Sequence, residues 1–226
     1  MATAIEPRTQ AEAGDVTTTE ETTRDTQRPA SLRARIVTGV VLAIGGLVGL
    51  LGAFGLTYER FEMLINPGHE LGCDISPILS CGGVMATDQA MLFGFPNPIV
   101  GLVTFPVVIA FGIGLLAKAT FPRWMWQGLW VGALGGVVFV HWLIYQSVFT
   151  IGVLCPYCMV VWAAMIPVFW FLTVFNFKNG IFPVSSGWRS AVDDLLRFHF
   201  LGLLLWIGLI IGIIGIQFWD YWQTLM

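Results

Sequence analysis

The chain has 226 residues, of which 56% are hydrophobic and only 11% charged, with 10 Trp, 17 Phe and 26 Gly. So apolar a balance belongs to a protein whose solvent is a bilayer. The net charge of −3, with no cluster of basic residues, lacks the electrostatic footprint of a nucleic-acid binder and excludes that class.

Residues 1–32 are rich in Thr, Glu, Ala and Gln and nearly free of large apolar side chains. They cannot bury enough surface to fold, and the tail is predicted to be disordered. This polar lead of roughly 35 residues, with no small-residue cleavage site after the apolar run that follows, does not read as a signal peptide. The first helix is therefore expected to remain as an uncleaved anchor.

A helix needs roughly 20 residues to cross the hydrocarbon core. Five stretches are long and apolar enough: 36–57, 98–116, 124–147, 156–175 and 198–219. The fold class expected is an all-α membrane protein. Residues 33–178 would form a four-helix transmembrane bundle, 179–197 a cytoplasmic loop, and 198–226 a fifth transmembrane helix with a short outer tail. Gly45 and Gly49 on the first helix, and Gly128, Gly132 and Gly136 on the third, have the four-residue spacing that lets helix backbones approach. Trp124, Trp126, Trp219 and Trp222 fall near the predicted membrane boundaries, as aromatic belts do.

Short loops rich in Lys and Arg stay on the cytoplasmic side. Every one of the 11 Lys and Arg residues except Arg60 falls on one side of this arrangement, which predicts a cytoplasmic N-terminus. The one long loop on the other face, residues 58–97, contains Cys73 and Cys81, and Cys155 and Cys158 lie at the outer end of the fourth span. All four cysteines are thus expected at the face where disulfides form and persist.

In Cys155-Pro156-Tyr157-Cys158, Pro at the first helical position presets a helix start, so Cys155 stands at a helix N-terminus. There the free amides and the helix dipole favour a thiolate. Cys158 lies one turn deeper, facing the bundle. A purely structural disulfide closing so short a loop would restrain the unfolded chain very little, which favours a redox role. Cys73 and Cys81 sit in a Gly- and Pro-punctuated segment suited to a mobile loop. That pair alone fits a loop-closing disulfide as well as a shuttle, and the neighbouring Cys-x-x-Cys tips the balance to the shuttle. A four-cysteine zinc site fits poorly, because structural sites draw each pair from a short knuckle and seven residues separate Cys73 from Cys81. No metal is expected.

A loop cysteine pair after the first span, followed by Cys-x-x-Cys at the outer end of the fourth, resembles the vitamin K epoxide reductase family. DsbB-type quinone-linked disulfide oxidases carry the two pairs in the opposite order. The resemblance covers roughly residues 36–175 and includes Asn97-Pro98-Ile99-Val100-Gly101, similar to the family segment in which an Asn hydrogen-bonds a quinone carbonyl. Asn before Pro is also a favoured turn and N-cap pair. Trp162 occupies the place of a Tyr that reaches the quinone in animal members, and is equally readable as a core or interface aromatic. Thr87, six residues after Cys81, fits a family position where Ser or Thr supports the loop. Segment 77–90 would form a shallow helix capping the site, with Val84, Met85 and Met91 turned to the pocket.

The resemblance implies an isoprenoid quinone of the menaquinone, ubiquinone or vitamin K type as electron acceptor. It also implies a relay in which a reduced partner attacks at Cys73, Cys81 attacks Cys155, and Cys158 faces the quinone. No Cys follows Cys158, so the partner is expected to be a separate thioredoxin-like or DsbA-like extracytoplasmic protein. His141, ionisable within the third span, is a functional candidate. It would either donate a proton to the reduced quinone or stand as a neutral His bonded to a neighbouring helix. Reduction of vitamin K epoxide is the alternative substrate assignment. A non-enzymatic transport or metal-binding protein is the alternative class, and the chain lacks the internal repeats and intramembrane charges expected of a transporter.

Overall fold

A computed structural model describes residues 31–66, 68 and 71–225. The predicted disordered tail falls outside the described residues except for its last two positions. Among the described residues the chain is built of helices, with one isolated β-bridge and no extended strand. Five segments are long and apolar enough to cross a membrane, as expected.

Helix α1 spans Leu32–Ile65, capped by Ser31, whose hydroxyl accepts the Ala34 N–H at 3.3 Å. It runs two turns beyond the predicted limit and reaches about 51 Å at 1.5 Å per residue. The extra turns carry Glu59, Arg60 and Glu62 beyond the apolar stretch. A short helix, α2, spans Cys81–Met85, followed by a 3-10 turn at Asp88–Met91. The longer cap expected over residues 77–90 is thus split, because Thr87 turns its hydroxyl back onto the Val84 carbonyl at 2.7 Å and closes the first piece. Helix α3, Pro98–Leu116, begins where Pro98 presets the backbone.

Helix α4, Arg123–Tyr145, passes without interruption into a π-helical turn, Gln146–Ile151, which ends at Gly152 with φ +71°. That left-handed backbone is one that glycine alone adopts without strain. Helix α5 spans Pro156–Lys178. The connection to the fifth span is more than a loop: it contains the strongly amphipathic α6, Arg189–Arg197. Helix α7 is His199–Gln217 and α8 is Trp219–Leu225.

Helix α1 packs along α3 and α5, and α4 packs on α5. Close approach of α1 and α3 requires glycine at Gly112, where an added Cβ would stand 2.5 Å from the Ala43 nitrogen and 2.9 Å from the Gly39 carbonyl oxygen. Gly45 and Gly49 also pack tightly, on Val168 and Phe105, and Gly136 faces Met165. The packing reading fails for Gly128 and Gly132, where an added Cβ would meet nothing within 4 Å. Trp126 is likewise no belt residue: it is 4% exposed and stacks among Phe111, Phe121 and Phe175. Trp124 and Trp219 are exposed as expected. The main core runs through Leu42, Phe105, Trp126, Trp162, Val168 and Leu172, filling the four-helix bundle below the cysteines.

Candidate active site

The four cysteines converge at one end of the bundle. Cys81 opens α2, whose first turn is held by two side chains: Ser80 Oγ accepts the Gly83 N–H at 2.9 Å, and the Asp74 carboxylate accepts the Gly82 N–H at 3.0 Å. Cys73 and Cys81 form a disulfide. The preceding segment pairs with the approach to α5 as a parallel bridge between Leu79 and Leu154. In it the Leu154 N–H donates to the Ile78 carbonyl at 2.7 Å and the Ser80 N–H to the Leu154 carbonyl at 2.9 Å. Since Leu154 and Ser80 each directly precede a cysteine, this bridge sets Cys155 against Cys81, and their sulfurs lie 3.3 Å apart.

Cys155 is the N-cap of α5, its sulfur accepting the Cys158 N–H at 3.4 Å. Its thiol is held below the ordinary value for cysteine, first by the hydrogen bond from the Cys158 side chain and then by the Cys158 and Tyr157 amides. Burial and the Asp74 carboxylate oppose the shift. Cys155 and Cys158 are free thiols, so a nucleophilic thiol rests in van der Waals reach of a disulfide sulfur. Cys73, Cys81 and Cys155 are buried, at 3%, 0% and 0% exposure.

Cys158 is the member that reaches inward. It lines a cavity of about 120 Å³ between α1, α2, α3, α4, the π-turn and α5. The wall is mostly apolar, with Ala53, Leu56, Val84, Met85, Phe105, Phe139 and Met165, and its polar members are Gln89, Asn97, Thr104, Gln146, Ser147 and Trp162. The π-turn supplies Gln146, Ser147 and Ile151, a common use of such insertions. Arg60 fixes the lid: its guanidinium donates to the Met85 carbonyl at 2.8 Å and contacts the Met91 sulfur at 3.6 Å.

Of the residues singled out from the sequence, the four cysteines, Asn97 and Trp162 come together here, and Val84 and Met85 face the cavity as expected. Trp162 is 4% exposed and its indole Nε1 is buried with no hydrogen-bond partner. Asn97 occupies the N-cap position without capping α3. Its amide instead ties the preceding loop, donating to the Gln89 carbonyl at 2.7 Å and accepting the Leu92 N–H at 3.1 Å. An amide so engaged retains one N–H and one lone pair.

Thr87, Met91 and His141 lie apart from the cavity, and for Met91 this departs from the expected orientation. Thr87 does not line the cavity; its hydroxyl is committed to Val84. Met91 is partly exposed and turned to Arg60. His141 also lies outside the cavity: Nδ1 is 2.8 Å from the Val137 carbonyl and Nε2 accepts the Trp206 indole N–H at 3.0 Å. That network bonds the imidazole to a neighbouring helix, the second of the two readings open from the sequence. Sequence reasoning missed Gln146, Ser147 and Phe139, whose only advance signal was their position near the end of the third span.

A thiol pair stacked on a disulfide, at the head of an apolar cavity inside a bundle of membrane-length helices, is the arrangement of a membrane oxidoreductase. The model of the vitamin K epoxide reductase family matches residues 40–173, more than half of the chain. The protein belongs to that family. No curated protein matches the chain.

Proposed function

We propose that the protein is a quinone-linked thiol–disulfide oxidoreductase that reoxidises a separate thioredoxin-like protein on the extracytoplasmic face, sustaining disulfide formation in exported proteins. The carrying observation is the 3.3 Å contact between Cys155 and Cys81 sulfurs, with Cys158 opening into a cavity lined in part by Trp162, whose buried indole N–H has no hydrogen-bond partner. The distribution of Lys and Arg supports an outward-facing cysteine end.

In the relay, a partner dithiol opens the Cys73–Cys81 disulfide, and Cys81 attacks Cys155 of an oxidised Cys155–Cys158 pair. The Cys81–Cys155 bond forms as Cys158 leaves as thiolate. Cys73 then attacks Cys81, reclosing the first disulfide and freeing Cys155 as thiolate. The state with Cys73–Cys81 closed and Cys155 and Cys158 reduced corresponds to the end of this sequence, when two electrons have moved inward. A quinone bound in the cavity supplies a two-electron, two-proton acceptor, and reclosure of Cys155–Cys158 provides both electrons.

The residues present fit such a group. The buried Trp162 N–H and the spare N–H of Asn97 are donors for carbonyl oxygens, and the apolar walls suit a ring. Thr104 both lines the cavity and is exposed on the outside of α3, so the space opens sideways toward lipid, as a membrane-dissolved ligand requires. The test is to add quinone to purified reduced protein and follow hydroquinone in wild type, Cys155→Ala and Cys158→Ala. Both variants are expected to be inactive, and full activity in either refutes the relay. Cys73→Ala should lose turnover with a protein dithiol and retain it with dithiothreitol; equal loss with both removes the shuttle role.

A further inference from the structure

The family match ends at residue 173, which leaves the fifth membrane helix, α7, outside it. This helix is almost entirely lipid-facing: Leu204, Leu205, Leu209, Ile211 and Ile216 are each at least 60% exposed. One narrow face is attached to the bundle, and its contacts are specific. Leu203 is buried with Val137, Ile166 and Phe171. Trp206 donates its indole N–H to His141, and Trp170 of α5 donates to the His199 carbonyl at 2.9 Å. Ile210, Ile213 and Ile214 pack on the cluster that contains Ile144, Val148 and Leu154, and Phe218, 7% exposed, is buried in it. Helix α7 also adjoins the π-turn directly.

We propose that α7 is a splint that holds the π-turn open and thereby sets the Cys81–Cys155 register, with Phe218 and Trp206 as its positioning residues. A π-turn carries one residue more than an α-helix accommodates and persists only where its surroundings favour it. Relaxation of Gln146–Ile151 to α-helical winding would rotate the following residues by about 100° per residue absorbed. Only Gly152, Val153 and Leu154 separate the π-turn from Cys155, and Leu154 carries both hydrogen bonds of the bridge. The register of that bridge, and with it the 3.3 Å sulfur contact, therefore depends on the π-turn. Val148 and Leu154, each 1% exposed, are the buried apolar residues of this segment, and they belong to the core cluster that also holds Phe218. Trp206 fixes the height of α7 against α4 one helical turn below the π-turn.

The inference rests on the thiol relay proposed above, yet its test needs neither quinone nor partner. In a Cys73→Ser/Cys158→Ser background only Cys81 and Cys155 remain. Addition of diamide removes two electrons and two protons to join them, and the disulfide is scored by thiol labelling on the folded, monodisperse fraction. Phe218→Ala should slow this crosslink about tenfold, within what an ångström of misplacement costs, whereas Phe218→Leu should restore it to within about twofold. Trp206→Phe, which keeps the ring and loses the donor, should slow it several-fold and serves where Phe218→Ala does not accumulate as folded protein. Leu209→Ala, on the lipid face, should leave it unchanged. A wild-type crosslinking rate in folded Phe218→Ala or Trp206→Phe, or an equal loss in Leu209→Ala, overturns the proposal. Normal crosslinking effects together with no quinone turnover in wild type would instead sustain the splint and refute the quinone reading.

Discussion

Trp162→Phe separates a ligand-facing indole from an ordinary core aromatic. Trp162 is 4% exposed and its N–H has no partner, and a buried unpaired donor costs about 1–3 kcal/mol. Phenylalanine removes that donor and also removes roughly two carbons' worth of apolar contact, worth about 1.5 kcal/mol. The two effects oppose each other, so thermal stability of the quinone-free protein in detergent should change by less than about 1.5 kcal/mol in either direction. Quinone binding should behave otherwise, because the hydrogen bond exists only with ligand present. A net contribution of about 0.5–1.5 kcal/mol is a roughly 2- to 12-fold rise in Kd or KM for quinone. The assay is hydroquinone formation against quinone concentration with dithiothreitol as donor, alongside thermal melts with and without quinone. An unchanged KM, or a melt that falls by the same amount with and without quinone, refutes the ligand role of the indole.

Three further outcomes are expected. Arg60→Ala removes a charged donor from the Met85 carbonyl and should cost about 1–2 kcal/mol of lid stability; a several-fold higher quinone KM is the readout, and Arg60→Ala kinetics equal to wild type would count against the lid role. Gly112→Val drives a side chain into the α1 backbone and should destabilise by about 1–3 kcal/mol in thermal melts, whereas Gly132→Val, with nothing within 4 Å of the new Cβ, should stay within about 0.5 kcal/mol. The lowered Cys155 thiol means that its thiolate persists to a lower pH than an ordinary cysteine's, and the first cause is the Cys158 side-chain donor; ultraviolet thiolate titration should therefore show a higher midpoint in Cys158→Ala than in Cys158→Ser, which keeps a donor, and coincident midpoints would refute that cause.

The features visible in the sequence are those carried by local chemistry. Pro98 and Pro156 mark the starts of α3 and α5 because a fixed φ and a missing N–H act at the residue itself. The cysteine spacing announced redox chemistry for the same reason, and Trp162 and Asn97 arrive at the cavity with the helices that bear them. What the sequence concealed depends on partners far along the chain. His141 reads as a functional group because an ionisable residue in a span is costly, but its Nε2 is satisfied by Trp206, 65 residues away. The π-turn has no period or composition of its own, so Gln146 and Ser147 read as the frayed end of a span rather than as a cavity wall. Glu59, Arg60 and Glu62 look like a helix stop, yet α1 continues through them to Ile65, because beyond the apolar stretch charges no longer oppose helix formation.

In the proposed relay the buried cysteines place two opposing demands on the loop that carries them. With Cys73 only 3% exposed, a protein thiol cannot reach the Cys73–Cys81 disulfide until the loop lifts. The contacts that lifting must break are the two bonds of the Leu79–Leu154 bridge, the Arg60 bond to the Met85 carbonyl, and the burial of Leu71, Cys73, Val84 and Met85 against Leu56. The hydrogen bonds contribute about 1 kcal/mol net each and the buried side chains add to them, so the loop is held closed and opens only in local excursions. Once the disulfide is reduced, these same bonds are what keep Cys81 beside Cys155, since the covalent link to Cys73 no longer restrains it. A looser loop would meet its partner more often and lose the inner contact; a tighter one would do the reverse. The two hydrogen bonds of this bridge therefore suit a segment that would serve both proposed exchanges in turn.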